Sequence, residues 1–172
     1  NTHPRVSGFV SAIKTLKPDA IIGVCGCTDM FSKEVLNTMA DINERPVIFA
    51  MSNPTSKAEC SAEKAYRYTD GRALFAGGSP FAPFELSGKR FVPSQANNVY
   101  IFPGLGMGAS LIKAKYVTDE MFFSAAKTVA KNLTKEELES GCLYPSLSRI
   151  RSISEGIAVK TAEIAYDQNI AG

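Results

Sequence analysis

The chain has 172 residues, 45% of them hydrophobic and 21% charged, the balance of an ordinary globular domain with one core and room for a small appended subdomain. Nineteen Lys and Arg are scattered among seventeen acids for a net charge of +2, so no basic stripe marks the chain for nucleic acid or an acidic membrane. The longest apolar runs, residues 20–24 and 47–51, are too short to span a bilayer.

In chain order, Asp19-Ala-Ile-Ile-Gly-Val24 predicts a short strand that ends around Gly23 and Gly26. Ser32-Lys33-Glu34 opens a helix with apolar residues at Val35, Met39 and Ile42. Residues 46–51 form a second strand, apolar at successive positions as in a strand covered by helices on both faces. It stops at Ser52-Asn53-Pro54-Thr55. Ser56 and Glu59 then have capping-box spacing, which predicts a helix running towards Tyr68 and ending at Gly71. Residues 73–76 predict a third strand. Residues 84–92, with Ser87-Gly88 in the middle, predict a hairpin. Residues 93–98 then form a loop, and the apolar run 99–102 a further strand-like segment closed by Pro103-Gly104.

From there the pattern turns helical. Thr118 is a candidate N-cap for a helix with Phe122, Ala125, Val129 and Leu133 on one face. Thr134 and Glu137 form a capping box before Gly141, and a last helix carries Ile150, Ile153, Ile157 and Ile164. The order strand–helix–strand–helix–strand is α/β, half of a doubly wound (Rossmann-like) parallel sheet, followed by a helical C-terminal segment. The expected boundary divides residues 1–104 from 105–172. All three strand ends, at 24–26, 52–53 and 77–79, fall on one edge, where open α/β sheets bind ligands.

That edge is rich in amides and hydroxyls and poor in acids, bases and nucleophiles. Asn53 offers a donor and an acceptor to a carboxylate or carboxamide, and Pro54 biases it towards extended backbone; a helix cap or Asx turn is the alternative. Of Asn97 and Asn98, adjacent in extended chain, at most one faces a ligand, and a solvated turn is again the alternative. Gly77-Gly78-Ser79-Pro80 either lets backbone approach a cofactor or is an ordinary loop. Gly104-Leu-Gly-Met-Gly108 is not a G-x-G-x-x-G fingerprint and reads as small residues for close helix packing. Cys25-Gly-Cys27 lacks a second pair or a nearby His, so no metal site is expected there. The four cysteines, with Cys60 and Cys142, fit a reduced intracellular protein, and His3 is the single histidine. The start Asn1-Thr2-His3-Pro4 has neither Met nor a targeting pattern, so a fragment is expected, cytoplasmic in placement with an organelle left open.

Taken together, "KPDAIIGVCG", "INERPVIFAMSNPTSKAECSAEKAY", "LFAGGSPF", "NNVYIFPG" and "GCLYPSLSRI" resemble, in order, the carboxyl-terminal part of malic enzymes. The resemblance implies oxidation and decarboxylation of L-malate to pyruvate and CO2 with NAD or NADP and Mg2+ or Mn2+. It implies Asn53 and one of Asn97 and Asn98 on malate, and Gly23, Val24, Cys25, Gly26, Ser52 and Asn53 along the dinucleotide. The family's metal ligands, catalytic Tyr and Lys and glycine-rich fingerprint would lie upstream of Asn1, so no catalytic or metal residue is assigned here. The upstream half of the same enzyme and other copies in a homo-oligomer are the implied protein partners; isolated, the chain is expected to be inactive. A stand-alone nucleotide-binding or assembly module without redox activity is the alternative. Ser94 and Ala96 stand where the family has Gly on either side of Gln95, and Gly77 where it has Ser; a positive φ at Ser94 or Ala96 would strain the loop.

Overall fold

The computed structural model describes residues 5–172; His3 and its neighbours lie outside the described residues. The chain forms two compact units, one reaching to Ala96 and taking in Glu139–Leu143, the other comprising Asn97–Leu138 and Tyr144–Gly172.

The first unit opens with helix α1 (Phe9–Leu16), absent from the sequence reading although Phe9, Val10, Ile13 and Leu16 are spaced for one helix face, and strand β1 (Ala20–Gly23). Helix α2 (Lys33–Ile42) starts where Ser32 Oγ accepts the Val35 N–H, and it buries Val35, Leu36, Met39 and Ala40. Strand β2 (Val47–Ala50), helix α3 (Ala62–Arg67) and strand β3 (Leu74–Gly77) follow. The hairpin β4 (Phe84–Leu86) and β5 (Lys89–Phe91) turns on Ser87 and Gly88, both at positive φ, the type I′ arrangement that matches strand twist. A two-residue strand, β6 (Ser94–Gln95), completes a four-stranded sheet in the order β1-β2-β3-β6, every pairing parallel. The expected half of a doubly wound sheet is therefore present, with the ends of β1, β2 and β3 on one edge.

One face of that sheet is sealed. Ile21, Ile48 and Phe75 share a register row and are buried among Ile13, Leu36, Met39 and Tyr66. Each such side chain contributes about 1.5–3 kcal/mol on leaving water. The other face is less covered than the apolar run predicted: in the row Ile22–Phe49–Ala76, Ile22 is 64% exposed and Phe49 intermediate.

Three local expectations fail for identifiable reasons. Ser56 and Glu59 do not form a capping box: residues Thr55–Lys57 make a 3-10 turn, and Glu59 turns inward and is fully buried. The cap of α3 is Ser61, whose Oγ accepts the Lys64 N–H at 3.2 Å. Residues 93–98, read as a loop, contain β6, too short to show period-two patterning. Residues 99–102, read as strand-like, form a 3-10 turn (Asn98–Tyr100) and the first residue of helix α4 (Phe102–Leu111), where Pro103 sits in the first turn with no N–H to lose.

The second unit is helical: α4, α5 (Asp119–Lys131), α6 (Lys135–Glu139) and α7 (Ile150–Asp167). Thr118 caps α5 as expected, but the buried stripe is Met121, Ala125 and Val129, while Phe122 is 43% exposed. The Thr134–Glu137 capping box closes in both directions, at 2.9 and 3.2 Å. Ile153 and Ile157 of α7 are buried in the core of this unit. The small residues of α4 serve packing: a Cβ on Gly104 or Gly108 would lie 2.5 Å or 2.6 Å from the carbonyl oxygens of Ser154 and Ala158.

Candidate functional site

β1 ends at Gly23 and leads into Val24, 78% exposed, and the exposed Cys25 and Gly26. Gly26 has φ +66, a backbone state that a side chain disfavours, and nothing crowds its α-carbon. Gly23 has a different role: a Cβ there would lie 2.5 Å from Glu59 Cγ and 2.9 Å from the Phe31 ring, so its missing side chain makes room for Glu59. The Cys25 N–H donates to Glu59 Oε1 at 3.1 Å, and the Gly26 N–H donates to Ser52 Oγ at 2.9 Å. These two backbone donors are thus consumed inside the protein.

β2 ends at Ala50. Ser52, buried, donates from its Oγ to Glu59 Oε1 at 2.5 Å and from its N–H to Oε2 at 3.3 Å. Asn53 is exposed and precedes Pro54 through a cis peptide bond. Its Oδ1 accepts the Ser79 hydroxyl at 2.6 Å, and its Nδ2 makes no hydrogen bond among the described residues. The amide is therefore oriented, acceptor inward, with a donor left for a ligand. Sequence reasoning did not single out Ser79 for this purpose.

At the end of β3, Gly77, Gly78 and Ser79 are buried. A Cβ on Gly78 would lie 2.1 Å from the Met51 carbonyl oxygen, so Gly78 admits the neighbouring backbone. Gln95 Nε2 donates to the Gly78 carbonyl at 3.3 Å. Neither Ser94 nor Ala96 has positive φ, so the anticipated strain is absent. Ser94 Oγ instead accepts the Leu143 N–H at 2.6 Å, anchoring Glu139–Leu143 within this unit.

The structure brings Gly23, Val24, Cys25, Gly26, Ser52 and Asn53 to one sheet edge. Asn97 and Asn98 belong to the second unit. Asn97 caps the 3-10 turn there, its Oδ1 accepting the Val99 N–H at 2.9 Å, so the turn reading describes its oxygen. The Asn98 side chain is exposed and makes no hydrogen bond among the described residues.

The electrostatics centre on Glu59. Burial pushes its carboxyl up, but the Ser52 hydroxyl and surrounding backbone N–H groups outweigh that and hold it below its ordinary value of 4.5. Burial, with the Glu59 charge beside it, pushes the Cys60 thiol up to about 12. The Cys25 thiol is also raised: the Cys27 backbone draws it down, while burial and hydrogen bonds to Glu59 and Cys27 carry it up. Neither cysteine is an activated nucleophile. Among the described residues no group of three His, Cys, Asp or Glu side chains is placed to hold a metal. The edge suits a dinucleotide: it offers an apolar Val24, an exposed glycine turn and the unused amide donor of Asn53.

Residues 2–166 match the family model described as the malic enzyme NAD-binding domain. The chain is 51% identical over 167 residues to the NADP-dependent malic enzyme of Dictyostelium discoideum, covering 97% of this chain and 31% of that protein. It is 49% identical to the NADP-dependent malic enzyme of Phaseolus vulgaris and 46% to the mitochondrial human one, covering 98% of this chain and 29% and 28% of theirs. The fold matches the crystal structure of Entamoeba histolytica malic enzyme with a TM-score of 0.70 at 22% identity, over 89% of this chain and 28% of that one. The malic enzyme from Pyrococcus horikoshii Ot3 gives 0.64 at 25%, over 89% and 31%. The chain thus spans about three-tenths of the length of these relatives.

Proposed function

Because the chain belongs to the malic enzyme NAD-binding domain family, we propose that its strand-end edge holds dinucleotide and malate in an oxidative decarboxylation yielding pyruvate and CO2. The observation that carries this reading is Asn53, exposed at the end of β2, with Oδ1 fixed by Ser79 and Nδ2 unused. A donor held in one orientation meets a carboxylate or carboxamide oxygen at a smaller entropic cost than a free one. Asn97 and Asn98 belong to the second unit, and Asn97, with its oxygen engaged by Val99, keeps a side-chain amide donor just as Asn53 does, so neither is chosen over the other as a further malate contact. Gly23, Val24, Cys25, Gly26 and Ser52 form the dinucleotide side of the edge, Val24 as an apolar wall and Gly26 as the turn beside it.

The oxidised nicotinamide, when bound, supplies the hydride acceptor. Asn53 orients a malate carboxylate so that the substrate presents its C2–H to that acceptor, the positioning contribution to the barrier. The Ser52–Glu59 pair keeps the loops still while this happens. NADP is the proposed dinucleotide, on the dependence stated for the relatives at 46–51% identity. The divalent metal, the proton-transfer groups and the companion half of the sheet come, in this proposal, from other sequence, and the whole works as a homo-oligomer. β1 supports that companion: it is an end strand whose outer edge pairs with no strand among the described residues, and Ile22 and Val24 are exposed.

An assay of the isolated chain with L-malate, Mn2+ and NADP or NAD tests the division of labour. The expected result is no turnover, against robust turnover for an enzyme of which this chain is part. Turnover by the isolated chain would overturn it.

A further inference from the structure

Glu59 is fully buried behind the ligand edge, and its carboxylate is the most heavily bonded side chain in the unit. It takes the Cys25 N–H at 3.1 Å, the Ser52 hydroxyl at 2.5 Å, the Ser52 N–H at 3.3 Å and the Cys25 thiol at 3.6 Å. Ser52 Oγ passes the link on by accepting the Gly26 N–H at 2.9 Å. The Glu59 carbonyl accepts the Phe31 N–H at 3.0 Å, and alongside, the Thr28 hydroxyl donates to the Ser56 carbonyl at 2.6 Å. Gly23 leaves the space the side chain occupies.

A buried carboxylate is costly unless its oxygens are filled, and an apolar side chain would close the same space more cheaply. What an apolar side chain lacks is the capacity to fix two backbone amides from two different loops at once, together with the Ser52 hydroxyl that holds Gly26. We infer that Glu59 is a positioning residue for the ligand edge: its carboxylate locks the Cys25–Gly26 turn to Ser52, and through Ser52 sets the place of Asn53 before any ligand arrives. Residue by residue, the link runs from Glu59 to Ser52 to Asn53 on one side and from Glu59 to Cys25 and Gly26 on the other. Its effect on malate rests on the role proposed for Asn53; its effect on the loops does not.

The test uses the full-length enzyme containing this chain, without cofactor for one measurement and with substrates for the other. Glu59→Gln keeps the shape but turns an N–H donor towards the Ser52 N–H or the Cys25 N–H. Amide hydrogen exchange at Cys25, Gly26 and Ser52 should rise about tenfold or more, with β3 and α2 unchanged, the signature of local release rather than global destabilisation. KM for malate should rise by a similar factor, about tenfold, with a smaller change in kcat. Ser52→Ala should reproduce the Gly26 exchange effect, and at Gly26 the double variant should add little to either single one, because there the two act in series. Unchanged exchange and KM in Glu59→Gln, or fully additive effects at Gly26 in the double variant, would overturn the inference. If Glu59→Gln yields no folded protein, Ser52→Ala decides alone: unchanged exchange at Gly26 rejects the lock. Released amides with unaltered malate kinetics would keep the lock and reject the Asn53 role instead, so the two failures are separable.

Discussion

Tyr66 shows what a single buried group does to this fold. It is 1% exposed, packed against Phe75, Phe84 and Phe91 with ring centroids 4.4–6.0 Å apart, and its hydroxyl has no partner among the described residues. Burial pushes its pKa up to about 12, so it stays a neutral, unpaired phenol. Tyr66→Phe removes the unpaired hydroxyl and keeps the ring; thermal unfolding should show no loss, or a gain of about 1 kcal/mol. Glu59 behaves oppositely. Its folded-state pKa lies below its ordinary 4.5, so the stability it adds is complete above about pH 4.5 and is lost as pH falls through the lower folded value. Acid titration of unfolding should show a component in the wild-type chain that Glu59→Gln lacks; equal slopes would remove the carboxylate from the account. The place of Asn53 at the end of β2 was legible in the sequence from strand order, while the residues alone left its amide open between a ligand contact and a turn. Glu59 was not: Ser56-x-x-Glu59 satisfies the spacing of a capping box, and only the inward turn of the chain reveals the other use. Ser79 escaped notice because a serine beside two glycines looks like any loop residue.

At the level of elements, the two glycines of α4 that face α7 and the one that does not make a matched experiment. Gly108 admits the Ala158 backbone, and an added Cβ would lie 2.6 Å from its carbonyl oxygen, whereas Gly106 has nothing within 4 Å. Gly108→Ala should destabilise by about 1–3 kcal/mol through overpacking. Gly106→Ala should stabilise by about 0.5–1 kcal/mol, because it restrains the unfolded chain and meets no neighbour. Denaturant titration of both variants checks the pair, and the same sign in both would refute the packing assignment. Elements with caps and clear periods, such as α2 behind Ser32 and α5 behind Thr118, were readable from the chain alone. β6 was not, since two residues carry no period, and its partner β3 rather than its own sequence makes it a strand. Residues 99–102 misled for a related reason: Val-Tyr-Ile-Phe is β-rich in composition, but Pro103 in the first turn of α4 and the Asn97 cap favour a helical start.

For the molecule as a whole, the sheet ends at β1 with an unpaired edge and an exposed Ile22, while the opposite face is sealed. Strand order predicted the half-sheet, but the apolar run of β2 predicted cover on both faces, so the exposed face is a departure from the sequence reading. The sequence did not reveal that Asn97–Leu138 would form a compact unit with Tyr144–Gly172 while Glu139–Leu143 joined the other. That exchange depends on the Ser94–Leu143 hydrogen bond and on Cys142 Sγ beside the Val92 carbonyl, contacts far apart in the chain. No helix of the described residues is long and apolar enough to cross a membrane.

The central claim is that an amide at the end of β2 holds the substrate, and Asn53→Ala in the full-length enzyme tests it most directly. Loss of a hydrogen bond to a charged group, worth about 1.5–3 kcal/mol, should lower kcat/KM for malate roughly 10- to 150-fold while the protein remains folded. A folded Asn53→Ala enzyme with unchanged kcat/KM would contradict the account.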